Sequence, residues 1–249
     1  MKIKKAIMGL MIGALSVMPL AASAKTYNVG STPTGMPFTY LDSQTNTIQG
    51  IMVDLINAIG KDLGFEPKIN ALSFSTLISS LQTKRIDIIS AAMVKTEERA
   101  KIVSFSDPLL AYGEGLVVQD SNTKQYTGFA DMKGMTVGIQ LGTAYVEPAR
   151  ASGMFKEIKQ YDSSANMLKD LQNGRVDAVL LDYPIAKKTL EMPAFKGMHL
   201  VDSYKPVVVR DVGLVVRQDD KELLAQLNGS IAKLKKEGVI QEILKKWGL

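Results

Sequence analysis

Three residue groups carry the chemistry that this sequence offers. Arg99 closes the run Lys95-Thr96-Glu97-Glu98-Arg99, directly after an apolar stretch ending near Ala92. Thr96 suits a helix N-cap, and Glu97 and Glu98 suit a first helical turn. Such a run is commonly a solvated charged face. At the carboxyl end of a strand it is also a carboxylate clamp, because a guanidinium fork matches a carboxylate bidentately. Gly142-Thr143 follows the strand-like Thr136 to Ile139 and precedes a helical pattern from Tyr145. Backbone N–H groups at such a helix start attract an anion. Asp182 ends the apolar run Val176 to Leu181, at the position that echoes Ala92 in the first half. It is either a turn acid before Pro184 or a partner for an ammonium group. Taken together the three groups form a zwitterion trap, with a carboxylate on Arg99 and the Gly142-Thr143 amides and an ammonium on Asp182.

Composition excludes other chemistries. The chain has no Cys and one His, His199, so disulfides, thiol catalysis, Cys-ligated metals, His-based metal sites and Ser-His catalysis are not expected. No cofactor or metal is implied. Glu114, Glu147 and Asp182 are acids that acid–base catalysis would need, but nothing in their spacing marks a tuned pair.

The elements that must position these residues follow a short leader. Lys2, Lys4 and Lys5 precede an apolar run from Ala6 to Leu20, and Ala22-Ser23-Ala24 supplies a small-x-small cleavage site. Residues 1–24 are therefore expected to be a signal peptide cleaved after Ala24. No Cys follows the apolar run, so no lipid anchor is expected, and the periplasm is the expected compartment. Removing three Lys and no acid lowers the net charge from +5 to 5 − 3 = +2, about neutral for 249 − 24 = 225 residues. No basic stripe for nucleic acid is visible.

Apolar strand patterns then alternate with helical ones, which predicts α/β lobes with mainly parallel sheets. Tyr27 to Gly30 reads as a first strand and Ile51 to Leu63 as a helix, with Leu55, Ile59 and Leu63 on one face and Gly64 as its cap. Ser75 is the expected N-cap of the next helix, and Ile86 to Ala92 a buried strand. Leu81-Gln82-Thr83-Lys84-Arg85-Ile86-Asp87 recurs as Leu171-Gln172-Asn173-Gly174-Arg175-Val176-Asp177, and Val29-Gly30 as Val137-Gly138. Two similar lobes follow, with a cleft between their strand ends, where open α/β sheets bind ligands. The expected division is 25–115 for the first lobe, 116–211 for the second and 212–249 as a return to the first. Leu116 to Val118 and Val212 to Val216 are the expected crossings. The return segment is helical, with Trp247 as its anchor.

At these residues the chain resembles solute-binding protein family 3, the extracellular amino-acid-binding proteins of ABC importers. The resemblance runs through Gly50 to Leu55, Leu81 to Asp87, Thr96 to Arg99, Phe105-Ser106-Asp107-Pro108, Asp131 to Gly138, Gly142-Thr143 and Gly174 to Ala178. It implies the two-lobe periplasmic-binding-protein type II fold, an α/β architecture with a ligand cleft between the lobes. It also implies a monomer that is not an enzyme and hands an amino acid to a membrane permease. Carried over by position, Arg99 grips the ligand carboxylate with the amides of Gly142, Thr143 and Ala144, Asp182 holds the ammonium, and Phe74 lines the side-chain pocket near Ala92. The sequence departs from the family where Gly35 stands in place of an aromatic, Thr32 in place of the acid frequent in binders of cationic amino acids, Val94 in place of a hydroxyl, and Leu109-Leu110 in place of an aromatic pair. A roomier pocket, with contacts from Met36 and Leu109, and a neutral amino acid or bulkier derivative are the expectations, unless Glu114 or another acid enters the pocket. A periplasmic lyase of the cyclohexadienyl-dehydratase kind is the alternative on the same fold.

Overall fold

The computed structural model describes residues 25–249, so the signal-peptide expectation lies outside the described residues. The chain opens with strand β1 (Lys25–Ser31), a hairpin of β2 (Thr34–Gly35), β3 (Thr39–Asp42) and β4 (Thr47–Gln49), helix α1 (Ile51–Leu63) and β5 (Phe65–Ala71). It continues through α2 (Leu77–Gln82), β6 (Ile88–Ile89), α3 (Glu97–Ala100) and β7 (Ser104–Phe105). The middle third holds β8 (Leu110–Gln119), β9 (Thr136–Gln140), α4 (Val146–Ser152), β10 (Glu157–Tyr161), α5 (Ser164–Gln172), β11 (Ala178–Asp182), α6 (Tyr183–Leu190), β12 (Met198–Leu200) and β13 (Val209–Val212). The chain ends with β14 (Val215–Val216), α7 (Lys221–Lys236) and α8 (Val239–Lys246).

Two larger sheets result. The first runs β5-β1-β6-β14-β7, and the second runs β10-β9-β11-β8-β12, with β13 also on β8. Their centres are parallel: β1 pairs in parallel with β5 and β6, and β9 with β10 and β11. Both are mixed sheets, because β14 and β8 join antiparallel. Leu116 to Val118, expected to cross between lobes, lie inside β8 and pair with β11 and β12 of the second sheet. The chain passes between the sheets at residues 106–109 and 213–214 instead. There Ser106 N–H donates to the Leu214 carbonyl, the Ser106 hydroxyl accepts from Leu214 N–H, and Leu109 N–H donates to the Val212 carbonyl.

The sequence echo is an echo of backbone chemistry. After α2, Lys84 N–H donates to the Leu81 carbonyl and Arg85 N–H to Ser80; after α5, Gly174 N–H donates to Leu171 and Arg175 N–H to Asp170. Asp87 and Asp177 then each accept from the first sheet strand beside them, through Asn28 N–H at 3.0 Å and Thr136 N–H at 2.7 Å. Gly30 and Gly138 sit where a Cβ would meet Ile86 at 2.4 Å and Met167 at 2.9 Å. Each lets a helix or its following turn lie close on the sheet.

Helix α1 starts after Gly50, ends on the left-handed Gly64, and buries Leu55, Ile56 and Ile59. The final helices α7 and α8 return to pack on it, with Leu227 and Ile231 fully buried. Each such side chain contributes roughly 1.5–3 kcal/mol of burial free energy. The Trp247 indole N–H donates to Asp54 of α1 at 2.8 Å, and its ring meets Tyr40 of the hairpin edge-on at 6.0 Å.

Candidate functional site

The carboxyl ends of strands from both sheets converge on one small cavity. Thr32, Gly35, Phe38, Phe74, Ala91 and Ala92 line it from the side of the first sheet and the hairpin; Gln140, Thr143, Asp182 and Ile185 line it from the second. Its volume is about 20 Å³, room for a single water. A larger guest requires the two sides to part.

Arg99 is held by the one turn of α3, where the Thr96 hydroxyl accepts from Arg99 N–H at 3.2 Å as the sequence predicts for an N-cap. The residue is 8% exposed. Its guanidinium lies 5.6 Å from the Phe74 ring centroid and donates to two carbonyls, Val94 on its own side and Gly142 across the cleft at 2.8 Å. Among the described residues no carboxylate comes within ion-pair distance of it. Burial pulls its pKa down, opposed by Tyr112 and Asp182 nearby. A buried cation satisfied only by carbonyls is one for which an anionic partner yields a large gain.

Asp182 ends β11 and starts α6. It has no cationic partner either; Tyr145 donates to its Oδ1, and the Tyr112 hydroxyl oxygen lies 3.1 Å from its Oδ2. Desolvation is the largest influence on its carboxyl and pushes the pKa up to about 6, with Glu114 pushing the same way and Tyr145 and Arg99 pulling down. Tyr112 and Tyr145 are themselves raised well above the ordinary phenol value, first by burial and then by the Asp182 charge. Tyr112 also donates to the Ala92 carbonyl at 2.6 Å and stacks on Phe38 with centroids 5.1 Å apart. Ala92 sits at φ 52°, a left-handed conformation that costs a non-glycine residue about 1 kcal/mol or more.

The expected site residues are therefore brought near one another, but in a changed arrangement. Phe74, Ala92, Thr143 and Asp182 face the cavity, whereas Arg99, over Phe74, lines the neighbouring open groove with Gly142, Thr143 and Ala144. Gly142 contributes its carbonyl rather than its amide. Thr143 N–H donates to the Gln140 carbonyl in a turn, and its hydroxyl donates to the same carbonyl at 2.8 Å. Gly142 and Thr143 lie ahead of the helix start rather than at it, since α4 begins at Val146 and runs seven residues. Ala144 lies outside the cavity, in an open groove beyond Arg99 lined also by Lys95, Glu98 and Arg210. On the side where Gly35 stands, Ile185 of α6 comes close: a Cβ at Gly35 would lie 3.2 Å from its side chain. Leu109 belongs to the core and Met36 to a separate groove. Ser75 does not cap α2; Ser73 precedes a 3-10 turn, Phe74–Thr76, that leads into it.

Glu114 does not enter the pocket. It is fully buried and accepts from the Tyr204 hydroxyl and from Val207 and Val208 N–H. Glu147 pairs with Arg150 at the surface, and no cluster of metal-ligating side chains occurs among the described residues. Tyr112, Tyr145, Gln140 and Ile185 are the site residues that spacing missed. Tyr145 had a signal, lying three residues past Gly142 at a strand end.

The profile of a family described as bacterial extracellular solute-binding proteins, family 3, matches residues 27–249. The chain is 32% identical over 228 residues to ABC transporter arginine-binding protein 1 of Escherichia coli (strain K12), covering 91% of this chain and 92% of that protein. It is 29% identical to the L-cystine-binding protein TcyJ of the same strain over 226 residues, 89% and 82% of the two chains. A solved structure of an ancestral arginine-binding protein bound to glutamine superposes with a TM-score of 0.83 at 32% identity, over 91% of this chain and 99% of that one.

Proposed function

The chain belongs to the family 3 bacterial extracellular solute-binding proteins, and from that premise we propose that it captures an α-amino acid in the cavity between its two sheets and delivers it to the membrane permease of an ABC importer. The observation that carries this is the pairing of two unpartnered groups: Arg99, buried with no carboxylate beside Phe74 of the cavity wall, and Asp182, half-buried on that wall with no cation. An α-carboxylate and an α-ammonium complete both. The two lobes are the bodies built on the two sheets, turning about the crossings at 106–109 and 213–214. The protein works as a monomer in the periplasm after cleavage behind Ala24.

Selectivity for a neutral amino acid, or a bulky neutral derivative, is the finer part of the proposal. Asp182 is the sole acid on the cavity wall, where the remaining polar groups are hydroxyls and the Gln140 amide. Thr32 pairs with Thr39 at 2.7 Å, so the lysine or arginine head group finds no carboxylate there. Burying it unpaired is costly. The relatives named for arginine and for cystine keep both classes in the test.

Mass spectrometry of small molecules released on denaturing gently purified protein identifies the ligand, and calorimetry with that molecule measures its affinity. Arg99→Ala and Asp182→Ala are each expected to lose roughly 2–5 kcal/mol, about thirty- to several-thousand-fold. Near wild-type affinity in either variant refutes the trap; tightest binding of lysine or arginine refutes the selectivity alone. A raised carboxyl in a cavity also suits acid–base chemistry, so the same incubations are assayed for product, whose appearance establishes the lyase alternative.

A further inference from the structure

The Tyr112 hydroxyl has one hydrogen and two acceptors in reach, the Ala92 carbonyl at 2.6 Å and Asp182 Oδ2 at 3.1 Å. The shorter contact takes the hydrogen. The 3.1 Å approach of two oxygens is then a hydrogen bond only when Asp182 supplies the hydrogen itself. The other carboxyl oxygen already accepts from Tyr145, and the Arg99 fork is engaged by the Val94 and Gly142 carbonyls. We propose that Asp182 carries a proton on Oδ2, donated to the Tyr112 oxygen, and that the ammonium of an incoming amino acid replaces this proton, which leaves to solvent. The exchange rests on the α-amino-acid reading of the same cavity.

The groups facing Asp182 divide over a resident proton. Tyr112 and Glu114 approach from β8, Tyr145 from the turn before α4, and Arg99 from α3. Glu114 stands opposite Asp182 in the strand register and opposes its ionisation, whereas Arg99 favours it. Desolvation decides the balance and raises the carboxyl to about 6. Tyr112 and Tyr145 are therefore positioning residues with opposite effects. Tyr145 donates and stabilises the carboxylate; Tyr112 accepts and stabilises the acid. Because proton and ammonium compete for one carboxylate, affinity falls about tenfold per pH unit below the carboxyl's midpoint.

Carbon-13 titration of aspartate-labelled protein reads the site directly, with the Asp182 signal assigned by its loss in Asp182→Asn. The midpoint is expected near pH 6, lowered in Tyr112→Phe and raised in Tyr145→Phe. A midpoint in the ordinary carboxylate range, or upward shifts in both variants, overturns the placement of the proton. Thermal melts of the two Phe variants confirm that each is folded. Calorimetry at pH 6 with an equimolar mixture of the twenty common L-amino acids, in two buffers of different ionisation enthalpy, is expected to show about half a proton released per ligand bound. Binding heat without proton release overturns the exchange. No heat from the mixture overturns the exchange together with the amino-acid reading, while the titration still decides where the proton resides.

Discussion

Asp182 links the pocket to the stability of the fold. In the unfolded chain its pKa is the ordinary aspartate value of 3.8, and in the folded protein it is raised to about 6. The native state thus binds the proton more tightly. Its contribution to stability is full below pH 3.8 and is lost as pH rises towards and through 6, at most roughly 3 kcal/mol. The surface carboxylates Asp62, Glu98, Asp131 and Asp170 have lowered pKa values from their hydrogen bonds, and their contribution runs the other way, lost as pH falls through those values. Melting wild type and Asp182→Asn from pH 4 to pH 7 isolates this one group. The variant is expected to gain on wild type across that range, and parallel curves would refute the assignment. Arg99 and Asp182 stood out in the sequence because charge at a strand end is conspicuous, and Phe74 came from the family resemblance alone. Tyr112 and Tyr145 were not, because a tyrosine amid apolar neighbours reads as core and only the hydroxyl contacts betray its role.

Between α2 and β6, and again between α5 and β11, the same turn is built with different residues at one position. Lys84 has φ 60° and Gly174 has φ 68°. The left-handed conformation is free for glycine and costs lysine about 1 kcal/mol. Lys84→Gly is therefore expected to stabilise the protein by up to about 0.6 kcal/mol after the added unfolded-state entropy, or to raise the melting temperature by up to about 2 °C. An unchanged or lower melting temperature counts against strain at Lys84. The repeat was visible in sequence because the turn, the Asp that follows it and the strand all recur in order. The true reach of β8 was hidden. Its first half, Leu110 to Gly115, holds two glycines and a glutamate, none of which favours a strand. Packing overrides propensity there: a Cβ at Gly113 would meet Pro206 at 2.5 Å, one at Gly115 would meet Leu200 at 2.8 Å, and Glu114 is satisfied by Tyr204 and two amides.

Across the whole molecule, the two sheets meet at several small contacts. The Arg99 guanidinium reaches the Gly142 carbonyl, the Ser164 hydroxyl donates to the Thr34 carbonyl at 2.8 Å, and Gly142 lies against Ser75 so that a Cβ would stand 3.1 Å from its Cα. With φ 80° as well, Gly142 is the residue that permits this approach. Small-angle scattering of wild type should show compaction on adding the twenty-amino-acid mixture. Gly142→Ala should keep its fold yet fail to compact fully, and full compaction would show that the approach at Ser75 does not limit closure. The sequence indicated two bodies but not how tightly they meet, since that depends on contacts between residues far apart in the chain, such as Gly142 and Ser75. Trp247 is the only indole in the chain, and it is wedged between Asp54 and Tyr40. Tyr40 belongs to the hairpin whose Thr34, Gly35 and Thr39 border the cavity. Fluorescence from this protein therefore has a single emitter seated behind one wall of the pocket, and its colour and brightness report the attitude of that wall rather than an average over the fold.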